Sequence, residues 1–421
     1  MDNKYYLLNK HIYANKEANK SHDEIIEEEY LRRMKSPSRV LIDFDIKAFS
    51  RIKQTRLTDK SYPLYYVLLP EHLWLIKTIV ARSKEIMRLV DPLPGLARER
   101  IGLSQLVTEI QSSNDIEGVR STRQEIETAV NLMHSSKKVR FKSAVERYNA
   151  VLNSEKPKVE DLQTIRNLYD KTIIEEIDED SYPDGKLFRK NSVWISDVLR
   201  GEFVHAGDND EEEISSDLLK LIKYMNLDTE SDLIKSIISH YIFEYIHPFY
   251  DGNGRLGRYL LSSYLSYKLD PFSALSISEA IKQNKEKYQK AFTEVSNPLN
   301  RGELTFFIKD LLGIIIKGQE NVSVSLLDAN RKMQITVDFI EEFDFPSIEK
   351  NLLFLMIQSL LFAFGERYMT NIELFELLKD KYSRTKVDNA MKGLEKKDFV
   401  YKVSKNPLAY SLNLDKLPDF D

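Results

Sequence analysis

His247-Pro248-Phe249-Tyr250-Asp251-Gly252-Asn253-Gly254-Arg255-Leu256-Gly257-Arg258 puts one imidazole, one carboxylate, a Gly-Asn-Gly turn and two guanidinium groups between two apolar helical stretches. Upstream, Leu233, Ile237, Ile238, Ile242 and Ile246 recur at core spacing and predict a helix over 232–246 that delivers His247 at its carboxyl end. Pro248 disfavours α geometry at the residue before it, so the helix stops there. A second helix is expected over 255–268. The glycines between the two permit the positive φ angles that turn backbone N–H groups toward one point, and a helix start adds unsatisfied amides and a positive dipole end. An anion is expected there. Arg255 and Arg258 supply planar forks for phosphate oxygens. Asp251 would repel a polyphosphate unless a cation intervened, and Mg²⁺ held by one carboxylate plus phosphates meets that need. His247 is placed to take a proton from an incoming hydroxyl.

Asp-Gly-Asn-Gly alone is ordinary turn chemistry. The constellation of His247, Phe249, Asp251, Gly252, Asn253, Arg255 and Arg258 is not, since those identities coincide by chance about once in 10⁹ windows. Around it lies a chain of 421 residues with 42% hydrophobic and 30% charged residues, the balance of a globular protein of more than one domain. The net charge of −5 gives no global pull toward nucleic acid or anionic lipid. There is no cysteine, which removes disulfides, thiolate metal sites and cysteine nucleophiles and fits a reducing cytoplasm, the expected location. Met1-Asp2-Asn3-Lys4-Tyr5-Tyr6 lacks the pattern of a secretory signal. The longest apolar run, Leu352 to Phe364, is interrupted by Gln358 and Ser359 and is too short to span a bilayer, so no membrane partner is expected.

Glycine is scarce, at 14 residues, and helical spacing recurs throughout, so the chain reads as mainly α with short β pieces. Residues 1 to about 60 are charged and weakly periodic, with Lys16-Glu17, Glu27-Glu28-Glu29 and Arg32-Arg33, and suggest a loosely packed arm. Helices are expected over 71–89, 97–111, 121–133 and 159–175, the last preceded by Pro157 as a start signal, with a polar loop over 135–142. Residues 182–207 read as a small hairpin, Ser192-Val193-Trp194-Ile195 pairing with Phe203-Val204. Acidic residues open a helix at 211, another is expected over 280–295, and long helices run to about 364. The tail then reads helix, helix, strand, turn, strand over 370–412, the winged-helix pattern.

The stretch from His247 to Arg258 resembles the signature of the Fic family, H-P-F-x-x-G-N-G-R-x-x-R, at every specified position. The likeness extends to Gly185-Lys186-Leu187-Phe188-Arg189 through Ile195, similar to the family's flap, and to Asn284 through Ala291, covering about 70–310. It implies a helical bundle with a β-hairpin flap that holds ATP and transfers AMP to a Ser, Thr or Tyr hydroxyl of a protein, in some cases its own chain. His247 would deprotonate that hydroxyl, Asp251 would hold Mg²⁺, and Gly252, Asn253, Gly254, Arg255 and Arg258 would bind phosphates. Phe249 would anchor the loop, Tyr288 would meet the adenine, and Lys190, Asn191, Ser192, Val193, Trp194 and Ile195 would dock the target along a strand edge. Relatives that transfer a phosphoryl group carry Lys where Gly254 stands, so Gly254 favours nucleotidyl transfer. His205 has no expected role.

Ser113-Asn114-Asp115-Ile116-Glu117-Gly118 resembles the family's inhibitory helix, (S/T)-x-x-x-E-(G/N). Ser113 is expected as its N-cap, and Glu117 would grip Arg258 in bidentate fashion where the γ-phosphate belongs. Glu117 could instead position water for removing AMP, and a nucleotide sensor acting through the tail is the other alternative. Between Glu366 and Lys405 ten basic residues oppose seven acidic ones, a weak footprint for DNA, and Arg384, Lys386 and Asn389 are the residues that would face a groove. Contact of this tail with DNA or protein, and self-association, stay open. The expected organisation is an arm or helical region over 1–69, the Fic domain over 70–310 with the inhibitory helix at about 112–118, a helical linker over 311–364 and a winged helix-turn-helix over 365–421.

Overall fold

The structure is a computed structural model that describes residues 5–14, 20–155, 158–197, 201–362 and 368–420. Met1 to Lys4, Lys16 and Glu17, Pro157, Phe364, Glu366 and Arg367 lie outside the described residues. The chain is mainly helical with small antiparallel sheets, as expected. No helix among the described residues is long and apolar enough to cross a membrane.

The first 69 residues depart most from expectation. Helices α1 (Leu8–Ala14) and α2 (His22–Met34) precede a long antiparallel hairpin of β1 (Arg39–Ser50) and β2 (Thr55–Val67). In β1, Ile42, Phe44, Ile46 and Ala48 are buried while Asp43 and Asp45 face solvent, and the charged run from Glu27 to Arg33 lies on α2, so the segment is ordered structure rather than a loose arm. The segment is also pinned at its start: Tyr5 and Arg33 both donate to buried Glu303, each at 2.5 Å, and Arg33 lies 4.2 Å over the Tyr5 ring. Thr305 Oγ1 donates to the same carboxylate at 2.8 Å, and Arg33 compensates its charge, so losing Arg33 would strand it.

Next come α3 (Pro70–Val90), α4 (Gly95–Glu117), α5 (Arg123–Asn131), α6 (Lys142–Leu152) and α7 (Leu162–Thr172). Helix α6 was not anticipated. Helix α4 continues through the residues expected to break it, because Ser112, Ser113 and Asn114 are buried, Ser113 accepting from Arg258 and Asn114 donating to Ser121, and packing overrides their weak helix propensity. It ends at Gly118, whose φ of 75° suits the left-handed cap.

Strands β3 (Trp194–Asp197) and β4 (Glu202–Ala206) form the expected hairpin, followed by α8 (Glu211–Met225), α9 (Asp232–Ile246), α10 (Asn253–Lys268), α11 (Pro271–Ala274), α12 (Ile277–Gln283) and α13 (Lys285–Ser296). The helix expected over 280–295 is two helices meeting at Asn284. Helix α9 is apolar around most of its circumference and nearly all of it is buried, the signature of a central helix. Helices α8, α10 and α14 pack around it, so the motif loop between α9 and α10 sits in the middle of the bundle.

Helix α14 (Thr305–Glu341) is a spine of 37 residues, about 55 Å long at 1.5 Å per residue. Phe307 to Ile315 belong to the main core, Val322 to Met333 pack with α3 and the start of α4, and Ile340 joins a separate core with α15 (Ser347–Leu361). A linker beginning at 311 therefore starts inside an unbroken helix. The tail comprises β5 (Met369–Thr370), α16 (Asn371–Leu378), α17 (Arg384–Lys396), β6 (Val400–Lys405) and β7 (Leu408–Leu412), in a sheet ordered β5-β7-β6. On α17, Arg384, Lys386 and Asn389 are exposed, while Lys379, Lys397 and Lys402 are paired with Glu376, Glu349 and Glu395. Pairing thins the positive face.

Candidate active site

Helix α9 ends where Pro248 requires it to, and His247 takes the left-handed conformation with φ 54° and ψ 64°. Such a conformation is uncommon for a residue with a Cβ and persists only when its surroundings hold it. Here they do. The last carbonyls of α9, which have no intrahelical partner, are capped by side chains and one amide: Tyr245 O accepts from His205 Nε2 at 2.8 Å and Arg56 at 3.1 Å, Ile246 O from the Asp208 amide at 3.0 Å, and His247 O from Arg189 Nε at 2.8 Å. His205 is thus a structural cap, kept neutral by burial, which pushes its pKa well down.

The His247 Nδ1 lies 3.3 Å from the Glu244 carbonyl. A carbonyl only accepts, so Nδ1 carries the proton and Nε2 keeps its lone pair. Burial, and next the Arg189 charge, lower the pKa of this ring to about 4 against an opposing pull from Glu117. His247 is therefore neutral at pH 7, the state a proton acceptor requires.

Phe249 is fully buried, stacked on Tyr169 at 3.7 Å with rings 9° from parallel and edge-on to Phe188 at 5.7 Å. Asn253 closes the loop around it: its side-chain oxygen accepts from Phe249 N at 2.9 Å and its amide donates to Phe249 O at 2.8 Å. The Asn253 side chain, expected on phosphate, is engaged in holding the turn, and its backbone amide lies at the start of α10, where it has no intrahelical acceptor. Gly252, at φ 80°, turns the chain into α10 with no room for a side chain against Ile173.

Asp251 is half-exposed, with Oδ1 accepting from Gly252 N at 2.5 Å and Oδ2 lying 3.9 Å from Arg255 Nη2. Arg255 is buried and donates through Nη1 to Glu176 at 2.9 Å, leaving Nε and Nη2 without hydrogen-bond partners. Burial pushes the Glu176 carboxyl up to about 7 even with Arg255 beside it. Two buried guanidinium donors without acceptors are costly, and a phosphate oxygen would satisfy them. This donor set fits a nucleotide phosphate, and the single accessible carboxylate of Asp251 fits a cation completed by phosphate oxygens rather than by protein.

Arg258 is fully buried and its fork is occupied from α4. Nε donates to Ser113 Oγ at 3.0 Å, Nη2 to Ser113 O at 2.9 Å, and Nη1 lies 2.8 Å from Glu117 Oε1. Ser113 is in the last turn of α4, not at a helix start, and Glu117 meets the fork through one oxygen, so the expected N-cap and bidentate clamp are both corrected. Ser113 takes the two remaining donors because the helix presents residues four apart on one face. Burial raises the Glu117 carboxyl, but Arg258, the next cause, brings it below the usual range, so it is charged at neutral pH. A Cβ on Gly254 would overlap this carboxylate. Gly118 serves as the cap of α4.

In the hairpin, Trp194 and Phe203 are exposed and face each other at 5.5 Å, so Trp194 is not a core residue. Among the described residues β3 pairs on one edge alone, with β4, and Lys190, Asn191 and Ser192 lead into it exposed while Val193 and Ile195 are partly covered. Asp184 accepts from Lys190 N at 2.9 Å and Tyr250 from Asn191 N at 3.2 Å, which ties the approach to the motif loop. Tyr288 lies beneath the motif helix, 6% exposed, with its hydroxyl 2.6 Å from His240 Nε2. In this conformation its ring is core rather than a face for adenine.

Sequence reasoning assigned no role to Arg189, Arg56, Asp208 or Glu176. Arg189 stands in the charged context Lys186-Leu187-Phe188-Arg189-Lys190, which gives no local sign that it alone is buried.

The Fic/DOC family model matches residues 160–265, which contain the hairpin, α9, the loop and nearly all of α10. Over 75 residues the chain is 37% identical to a probable protein adenylyltransferase of Aquifex aeolicus (strain VF5), a match covering 18% of this chain and 21% of that protein. The match thus spans about a fifth of that relative. Among solved structures, a Fic family protein from Desulfovibrio desulfuricans G20 aligns with 83% of this chain and 98% of its own at 19% identity and a TM-score of 0.49. A Fic domain-containing signaling protein from Bacteroides thetaiotaomicron VPI-5482 aligns with 61% of this chain and 95% of its own at 22% identity and a TM-score of 0.42. The complete motif, folded between α9 and α10, lies inside residues 160–265, the segment that matches the Fic/DOC family.

Proposed function

We propose that the protein is an adenylyltransferase that moves AMP from Mg-ATP to a Ser, Thr or Tyr hydroxyl of a protein. The observation that carries this reading is the loop itself: a neutral His247 with a free Nε2 stands on the same turn as Arg255, whose two unpartnered buried donors await an anion. Asp251 is the residue that would hold Mg²⁺, whose charge offsets that of the phosphates. The hydroxyl proton passes to His247 Nε2, a bond forms from the hydroxyl oxygen to the α-phosphorus, and the bond from that phosphorus to the bridging oxygen breaks to release pyrophosphate. Positioning and charge supply most of the acceleration. The free edge of β3 offers an extended target segment main-chain partners, and Trp194 with Phe203 offers it an apolar ledge.

In this reading Glu117 is a brake, since it holds the Arg258 nitrogen that would otherwise meet the γ-phosphate. Glu117→Gly is expected to raise label incorporation from α-labelled ATP into protein by about 10–100-fold, the scale of a corrected misalignment. Equal or lower incorporation would overturn the brake. No label from either protein, with ATP still bound, would overturn transfer and favour a nucleotide sensor.

The pH dependence carries the sign of a depressed base. His247 acts unprotonated, so activity is lost as pH falls through its folded pKa, about 4 rather than 6.5. The kcat/KM profile of the free enzyme is expected to stay flat from about pH 7 down to about pH 5.5, measured with the Glu117→Gly protein. An acid limb centred near pH 6.5 would contradict it.

A further inference from the structure

We propose that Arg189 is a positioning residue that holds the base and the target-docking hairpin in a single register. This rests on the transfer reading. Arg189 is fully buried, and its guanidinium bonds carbonyls from two sides of the site. On the α9 side, Nε donates to His247 O at 2.8 Å and Nη2 to Ile246 O at 3.2 Å. On the hairpin side, Nη1 donates to Asn191 O at 2.6 Å, where the chain enters β3, and to Asp208 O at 2.7 Å, where it leaves β4. Its own amide donates to Pro248 O at 3.3 Å.

One side chain thus spans the approach to the docking strand, the exit from its partner strand and the residue whose ring accepts the proton. A planar fork suits this task where an ammonium does not, because it presents fixed donors in several directions. The surroundings are shaped to the fork. Gly207 lies against Arg189, Val193 and His247, and a Cβ there would strike all three. The cation also sits at the carboxyl end of α9, where the helix dipole favours positive charge.

Arg189 contributes a second effect through its charge. The charged and titratable groups facing the His247 ring are Arg189 and Arg56, which oppose its protonation, Glu117, which favours it, the Glu244 carbonyl at Nδ1, and neighbouring His205. After burial, Arg189 is the largest of these influences.

The test uses Arg189→Gln and Arg189→Lys in the full chain, each also combined with Glu117→Gly. The lysine variant keeps the charge and loses the fork, and the glutamine variant loses both. The first readout is the NMR titration of the His247 ring, assigned by comparison with His247→Asn, and it needs no activity. Glutamine is expected to raise the midpoint by about one unit and lysine to leave it within about 0.3 units. The second readout is labelling kinetics in the Glu117→Gly background. Both variants are expected to lose about 10²-fold in kcat with KM for ATP within about twofold, because Arg189 bonds nothing on the phosphate side of the loop. An unmoved His247 midpoint in the glutamine variant, or kcat within about threefold of the parent in both, overturns the proposal. A loss confined to melting temperature overturns it in favour of a purely structural role. If the Glu117→Gly parent carries no label, the transfer reading falls, and the titration still decides whether Arg189 sets the state of His247. Should the glutamine variant not fold, the lysine variant decides through the loss of kcat at unchanged midpoint.

Discussion

His247→Ala in the Glu117→Gly background is expected to lower label incorporation by about 10²–10⁴-fold, the range for loss of a positioned general base. The expectation follows from the ring's state. Nδ1 is committed to the Glu244 carbonyl and no hydrogen bond holds Nε2 among the described residues, so the lone pair is available without a proton first being lost. None of the remaining imidazoles replaces it: His205 caps Tyr245 O and His240 is tied to the Tyr288 hydroxyl. ATP affinity is expected to change by less than about threefold, since the arginines and the α10 amides proposed to meet phosphate are untouched. A variant retaining more than about a tenth of parental labelling would show that His247 is not the base, and equal losses in ATP binding and labelling would show that it shapes the loop instead.

Phe249→Ala is expected to cost about 3–5 kcal/mol of stability, read as a lowered midpoint in urea denaturation with labelling abolished. The ring fills the space between Tyr169 and Phe188, and Asn253 bonds both of its backbone groups. Truncation opens a cavity beneath the loop and frees the turn that Asn253 closes. Helix α9 remains buried on its other faces, so the loss is local to the region where α7, the hairpin base and the loop meet. A destabilisation below about 1 kcal/mol would mean that the loop is held by Asn253 and the α9 caps alone.

Much of this arrangement could be read before folding. Apolar spacing located α9, and Pro248 fixed its end, because both signals are local and point to the same answer. The hairpin was legible for a similar reason, in the β-branched and aromatic run at 192–195. The first 69 residues were not, although Ile42, Phe44, Ile46 and Ala48 alternate with charges as a half-buried strand should. A high density of Glu and Lys around them drew the reading toward a solvated arm, and the contacts that pin the segment, from Tyr5 and Arg33 to Glu303, cross about 270–298 residues of sequence. Ser113 was misplaced because Ser-x-x-x-Glu is a helix-start pattern when exposed, and only burial against Arg258 makes it the end of a helix. Arg189 was quoted but given no task, since its acceptors are backbone carbonyls that no side-chain pattern reveals.

In the proposed reading of Glu117 as a brake, the long helix that carries it determines what kind of control it would exert. Helix α4 is fastened midway by Glu109, which accepts from Ser262 and from both the amide and the hydroxyl of Ser278, and Gly102 lies tight against Leu152. The helix is therefore a fixed post, and in the proposed braking reading release falls to the Glu117 side chain, about one third exposed at the post's end. Side-chain rotations of that kind take picoseconds to nanoseconds, far faster than any turnover. The proposed brake would then be a thermodynamic toll on nucleotide alignment rather than a latch that must be sprung. Its strength is set by the fraction of time the carboxylate leaves Arg258, and it yields in proportion to anything that raises that fraction.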